Sequence, residues 1–348
     1  MSSDSINDTV EAAKGIRISV IIPALNEKAV IGRCLEALSR NRLAKADFEV
    51  IVVDNGSTDG TVETVRQFEA PYCLKIISIE GIRISALRNR GAVEARGEIL
   101  AFLDADCLAP PEWLTNSLRL FENRREGIIG AHYQIPGDAT WVGRVWCQDR
   151  LTEKVGNVSY VPSGDLLIHK DLFFQVGGFD ESIQTNEDYE FCQRALLLGL
   201  TVKSYPELRV VHLGTPRTLL GFYKKQRWHG THVLAVFLRD PRKRKNLRPV
   251  LLSVYTFGCL MGLIAGAAWG VFSGRLWISC AFAVMLVLPL MAIAIGRSIP
   301  RGKWNDVLPL TILYLAFGMA RANCLLKYKT WTRDNRWGRW TAGSGSTA

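Results

Sequence analysis

Over roughly the first 250 residues, short apolar runs rich in Val and Ile alternate with stretches of helical period. "IRISVIIPA" reads as a buried strand and is followed by a helix from about Glu27 to Arg42. "FEVIVVDNGS" is a second strand, after which Thr58 or Asp59 is placed to cap the next helix. "LKIISIE" is a third, "ISALRNRGAVEARG" a helix with small residues, and "EILAFLDAD" a fourth strand. Strands that are apolar without alternation, separated by helices, predict a mostly parallel α/β sheet with helices on both faces.

In such sheets ligands bind in the crevice at the carboxyl ends of the strands. Three of the strands here end in polar groups: Asn26-Glu27, Asp54-Asn55-Gly56-Ser57 and Asp104-Ala105-Asp106. The last pair crowds two carboxylates one residue apart. A hard divalent cation, Mg²⁺ or Mn²⁺, removes that repulsion and can hold the oxygens of a diphosphate. The pattern points to metal-assisted departure of a nucleoside diphosphate.

Two apolar runs near the C-terminus, residues 250–272 and 276–296, each exceed 20 residues without a charge. At 1.5 Å per residue each is long enough to cross a hydrocarbon core of about 30 Å. A third, 307–326, is interrupted by Arg321 and reads as a span or a re-entrant helix. The net charge of +10 is unevenly placed. Residues 1–208 carry 22 basic against 30 acidic side chains, whereas 209–249 carry 11 against one and 297–348 nine against two. The basic excess thus flanks the apolar runs, which fits a membrane neighbour and argues against a nucleic-acid partner. With the N-terminal region in the cytosol, two spans return the chain there and place Arg297, Arg301 and Lys303 inside. The segment 217–248 combines Leu219, Leu220, Phe222 and Tyr223 with "RDPRKRKNLR", a composition suited to lying on an anionic leaflet. The polar N-terminus has no apolar core of a signal peptide. Eight cysteines without a CxxC pair read as small hydrophobes in a reducing compartment.

Five segments in order, "SVIIPALNE", "VVDNGSTDGT", "RNRGAVEARGEILAFLDADC", "VGGFDESIQTNEDYEF" and "KKQRW", resemble the family 2 glycosyltransferases of GT-A fold. The resemblance covers about residues 17–232 and implies site roles position by position. Pro23, Asn26 and Glu27 would border the nucleotide pocket. Asp54, with Asn55 beside it, would contact base or ribose. Arg88 would lie near the pyrophosphate, Asp104 would face ribose and metal, and Asp106 would be the main metal ligand. Glu187-Asp188 would supply the catalytic base, Asp188 as base and Glu187 in support. An acid pair opening a helix also complements its dipole, and the two roles are compatible. Lys224 stands where the family's QxxRW motif has Gln, but Arg227 would still offset diphosphate charge and Trp228 would border the acceptor. His212 is a third candidate metal ligand, the alternative being a buried, hydrogen-bonded histidine. Asp165 stands where many relatives have Asn, on the acceptor side.

The organisation expected is a polar tail (1–15), a GT-A domain (16–232), a basic juxtamembrane segment (233–249), a membrane region (250–326) and a basic tail (327–348). The activity expected is inverting, metal-dependent transfer from a nucleotide-sugar donor to a lipid-linked or membrane-associated glycan, as in cell-envelope polysaccharide or glycolipid synthesis. Direct transfer to a polyprenyl phosphate is the alternative. An inactive nucleotide-sugar-binding membrane scaffold is the alternative from another class.

Overall fold

The computed structural model describes residues 15–123, 127–150, 155–183, 186–230, 244–274 and 276–326. Both terminal tails and most of the basic juxtamembrane segment lie outside the described residues. The chain divides into two compact units, Met1–Ala139 with Arg150–Thr215, and Thr140–Asp149 with Pro216–Ala348.

The first unit is built on an eight-stranded sheet. Strands β1 (Ile18–Ala24), β2 (Phe48–Asp54), β3 (Cys73–Ser78) and β4 (Ile99–Leu103) run parallel in the order β3-β2-β1-β4. Helices α1 (Lys28–Ser39), α2 (Thr61–Arg66) and α3 (Ile84–Glu94) form the crossovers. A two-residue strand β5 (Cys107–Leu108), helix α4 (Trp113–Asn123), β6 (Ile128–Gly130) and β7 (Gly156–Asn157) follow, with α5 (Trp141–Arg150), which lies between β6 and β7 in the chain, belonging to the second unit. Next come β8 (Asp165–His169), α6 (Lys170–Val176), α7 (Glu187–Leu197), β9 (Val202–Ser204) and β10 (Val211–His212). The sheet continues β4-β8-β6-β9-β7, with β8 antiparallel to both neighbours. It is therefore a mostly parallel mixed sheet.

Period-two alternation explains how both faces are buried. Ile18, Val20 and Ile22 of β1, Phe48, Val50 and Val52 of β2 and Ile99, Ala101 and Leu103 of β4 face one core. There they meet Ile31, Cys34, Leu35 and Leu38, which form a single stripe of α1, and Trp113 and Leu114 of α4. The intervening Ile21, Ile51, Val53, Leu100 and Phe102 face a second core with Leu87, Phe173 and Phe191 from α3, α6 and α7. Pro23 has no N–H to donate and sits beyond the last β1–β4 pair, Ile21 with Phe102. Capping of α2 is shared: its formal cap is Gly60 at φ 95°, while the Asp59 carboxylate accepts from the Thr61 N–H at 3.0 Å. Asp165 is wholly buried and its Oδ1 accepts the Trp113 indole N–H at 3.0 Å, so it serves the core rather than an open acceptor face.

The second unit contains α5, α8 (Leu219–Gly230), α9 (Arg244–Ser273), α10 (Trp277–Ser298) and α11 (Val307–Leu326). Segments Val250–Ser273 and Trp277–Arg301 are long and apolar enough to cross a membrane. In contrast, α11 buries Leu310, Leu313 and Ala316 against Trp146 of α5 and Phe222 of α8, and Asn323 donates to the Tyr223 hydroxyl at 2.9 Å.

Phe102 lies at the centre of the second core, its ring 5.2 Å from Phe173 and 5.1 Å from Phe179. Phe102→Ala is expected to cost about 3–5 kcal/mol, seen as a lowered thermal midpoint followed by intrinsic fluorescence.

Candidate active site

The carboxyl ends of β1 and β2 are laced together by side chains that accept backbone N–H groups. The amides of Asn26, Glu27 and Lys28 donate to Ser57 Oγ (2.8 Å), Thr61 Oγ1 (2.8 Å) and Asp59 Oδ2 (3.0 Å). The Thr58 N–H donates back to Asn26 Oδ1 at 2.9 Å. Asp54 is buried, and its Oδ2 accepts from the amides of Gly56 and Ser57, both at 3.0 Å. Its Oδ1 has no protein partner, an orphaned acceptor in a place that suits a ligand N–H or hydroxyl. Asn55 turns the other way: its carboxamide brackets the backbone of Ile82, donating to the carbonyl at 2.8 Å and accepting from the amide at 3.1 Å. It shapes the loop.

Strand β4 ends at Leu103, and the next residues carry the acid pair. The pairing of β5 with β10 sets His212 opposite Cys107, across 105 residues of sequence. Ligand atoms of Asp104, Asp106, Cys107 and His212 all lie within 4.8 Å of one another, and His212 Nε2 is 3.5 Å from Asp106 Oδ2. Two glycines make the space. A Cβ at Gly164 would strike the Asp104 carboxylate, and one at Gly214 would strike Asp106 and the His212 imidazole. Two carboxylates and an imidazole suit Mn²⁺ or a similar divalent ion, so this donor set fits a metal. Cys107 is a softer addition whose thiol is held protonated by burial and by the two aspartates.

Helix α7 opens on Glu187-Asp188. The non-glycine residues with positive φ among the described residues are Asn26 (58°) and Asn186 (67°). Each immediately precedes an acid of the site, and Asn is the side chain that best tolerates this left-handed backbone.

Arg88, on α3 and 1% exposed, joins these parts. Its Nη2 donates to Asp104 Oδ1 at 2.6 Å and its Nη1 to Glu187 Oε1 at 2.8 Å. Ser163 Oγ also donates to Glu187 Oε1, at 3.2 Å. The Tyr133 hydroxyl donates to Asp104 Oδ2 at 3.3 Å and accepts the Gly164 N–H at 3.2 Å. The geometry thus brings together Glu27, Asp104, Asp106, His212, Arg88, Glu187 and Asp188. Pro23 is buried in β1, behind this edge. Arg227 and Trp228 lie on α8 in the second unit, where Arg227 is exposed; the Trp228 side chain is outside the described residues. Tyr133, Ser163, Gly164, Gly214 and Cys107 escaped the sequence reading. Gly164 had a signal in "VPSGD", beside the singled-out Asp165, whereas Tyr133 carried none.

Charge crowding leaves its mark on the carboxyls. Glu27 is pushed up to about 7 by desolvation and then by the charges of Asp106, Asp104 and Asp59. Asp188 is also raised to about 7, by desolvation and then by its neighbour Glu187, which suits a group that takes a proton near neutrality.

The architecture is that of the GT-A fold. A mannosyltransferase from Pyrobaculum calidifontis, solved with GDP-Man and Mn²⁺, superimposes with a TM-score of 0.59 at 19% identity, covering 92% of this chain and 89% of that one. Sequence comparison reaches further than fold. The profile described as Glycosyl transferase family 2 matches residues 19–179. Glycosyltransferase AglE of Haloferax volcanii is 30% identical over 239 residues, 67% of this chain and 77% of that protein. Validoxylamine A glucosyltransferase of Streptomyces hygroscopicus is 42% identical over 103 residues, which are 29% of this chain and 23% of that longer protein. The chain belongs to glycosyl transferase family 2.

A carboxyl whose pKa rises on folding favours the folded state below its unfolded value, and that advantage is lost as pH climbs through the folded value. For Glu27 the window runs from 4.5 to about 7. The metal-free protein should therefore melt at falling temperature across that range. Mn²⁺ should raise the midpoint more above the window than below it, and Glu27→Gln should flatten the curve in differential scanning fluorimetry.

Proposed function

We propose that the protein moves one sugar from a nucleoside-diphosphate sugar to a lipid-linked or membrane-associated glycan, with inversion, at the cytosolic face of a membrane. The observation that carries this reading is the Asp104–Asp106–His212 cluster tied through Arg88 to Glu187-Asp188. Asp104, Asp106 and His212 would hold Mn²⁺ or Mg²⁺, which when bound supplies positive charge to the leaving diphosphate. Asp54 would accept from base or ribose through its orphaned Oδ1, with Asn26, Glu27 and the Asn55-braced loop around the nucleotide and Pro23 behind them. Arg227 would offset diphosphate charge, and Trp228 would border the acceptor.

In the transfer itself Asp188 takes the proton of the acceptor hydroxyl as its oxygen attacks the anomeric carbon. The bond from that carbon to the phosphate oxygen breaks on the opposite side, and the nucleoside diphosphate departs with the electron pair. One displacement needs one base, and configuration inverts.

A membrane acceptor is supported by the two apolar helices, by the basic residues Arg297, Arg301 and Lys303 at and just past the end of the second, and by the leaflet-suited composition of 217–248. A second reading, direct transfer to a polyprenyl phosphate, draws on similarity to a dolichol-phosphate mannosyltransferase of Pyrococcus furiosus. That likeness is 30% identity over 119 residues, 34% of each chain. Product analysis separates the two readings: a new glycosidic linkage resists mild acid, and a sugar phosphodiester does not.

Titration calorimetry with UDP, GDP, CDP and dTDP, each with and without Mn²⁺, tests the donor site. Metal-dependent binding of one nucleotide is expected; binding of none by folded protein would overturn the reading and leave a membrane scaffold in its place. Asp106→Ala is expected to lose the metal-dependent binding. Asp188→Asn should keep it and slow transfer by about 10²–10⁴, the usual worth of a positioned base, in a released-diphosphate assay.

A further inference from the structure

Six residues of the first unit close a ring of polar contacts. From Asp104 it passes through the Arg88 guanidinium to Glu187, from Glu187 to the Ser163 hydroxyl, along the chain to Gly164, and through the Tyr133 hydroxyl back to Asp104. The ring joins five places in the fold: the end of β4, helix α3, the segment after β6, the first turn of α7 and the residues leading into β8. Both carboxylate oxygens of Asp104 are engaged, Oδ1 by Arg88 at 2.6 Å and Oδ2 by Tyr133 at 3.3 Å. A cation that binds Asp104 therefore competes with donors already there. The charged, shorter contact to Arg88 is the stronger tie, and the neutral, longer one to Tyr133 is the one that yields.

We propose that Tyr133 and Arg88 are positioning residues that make cation binding at Asp104 and the placement of segment 161–165 and Glu187-Asp188 one coupled event. The inference rests on the metal-site reading above. When a cation takes Asp104 Oδ2, the Tyr133 hydroxyl loses its charged acceptor and its hold on the Gly164 amide changes. Arg88, still clamped between Asp104 and Glu187, carries any shift of the Asp104 side chain to the head of α7. Gly164 sits so close to both partners that a Cβ there would strike the Asp104 carboxylate and the Tyr133 hydroxyl, which leaves the segment little room between them.

The sign of one effect separates this coupling from simple support of the fold. A hydroxyl that competes with the cation weakens its binding, so Tyr133→Phe should bind Mn²⁺ about two- to tenfold more tightly while transferring sugar more slowly. A merely structural tyrosine would, on removal, weaken both. Ser163→Ala opens the ring away from Asp104 and should leave Mn²⁺ affinity within twofold.

Mn²⁺ affinity of the full chain in detergent, with nucleoside diphosphate present, is read from the free-ion electron paramagnetic resonance signal. Hydrogen–deuterium exchange of peptides covering 161–165 and 187–197 is followed with and without Mn²⁺. In the wild type, Mn²⁺ should change exchange in both segments although neither holds a metal ligand. Tyr133→Phe should lose the change in 161–165, and Arg88→Lys the change in 187–197. Mn²⁺ binding with unchanged exchange in both segments, or Tyr133→Phe binding Mn²⁺ no more tightly, would overturn the coupling and leave the metal site standing. A wild type that binds no Mn²⁺ would remove the metal site and the coupling together.

Discussion

One buried guanidinium holds the chemistry of this enzyme in place. Arg88 is shared by Asp104 and Glu187, carboxylates from two elements 83 residues apart in sequence. A buried charge is costly without partners, and a buried carboxylate beside other carboxylates is costlier still. Here each offsets the other: the two acids keep Arg88 charged, and Arg88 lets the end of β4 and the head of α7 approach one another. Without it the carboxyl edge of the sheet would hold Glu27, Asp104, Asp106, Glu187 and Asp188 with little to balance them.

The rest of the architecture supplies rigidity around that bridge. Two apolar cores, one on each face, fix β4 so that the acid pair begins where the strand stops. Backbone amides from one loop meet side-chain oxygens of the next, which makes the edge a single laced surface. Positive backbone φ at Asn26 and Asn186 turns the chain sharply just before Glu27 and Glu187. The negative excess that remains is of the kind a divalent cation would offset.

Much of this was legible along the chain. Apolar runs without alternation, separated by helical stretches, pointed to a mostly parallel sheet, because a strand buried on both faces has no polar positions to spare. Polar residues ending three of the first four strands pointed to the carboxyl edge, and Asp104 and Asp106 were visible as a pair whose repulsion a cation would relieve. The antiparallel direction of β8 was not legible, since an apolar run such as "DLLIH" carries no mark of direction. Nor was the division at Thr215, which sets α8 with its "KKQRW" among the C-terminal helices.

What the sequence determined by itself is which residue types stand at the end of which strand, because pattern and turn chemistry are local. Only the tertiary structure decided who faces whom. His212 reaches Asp106 because β10 pairs with β5, and Arg88 faces inward onto two acids rather than outward. Asp165 turns to Trp113 and Asn55 to Ile82, while Tyr133 finds Asp104 across 29 residues. Each of these depends on packing that brings distant segments within about 3 Å, and no spacing along the chain encodes such a distance.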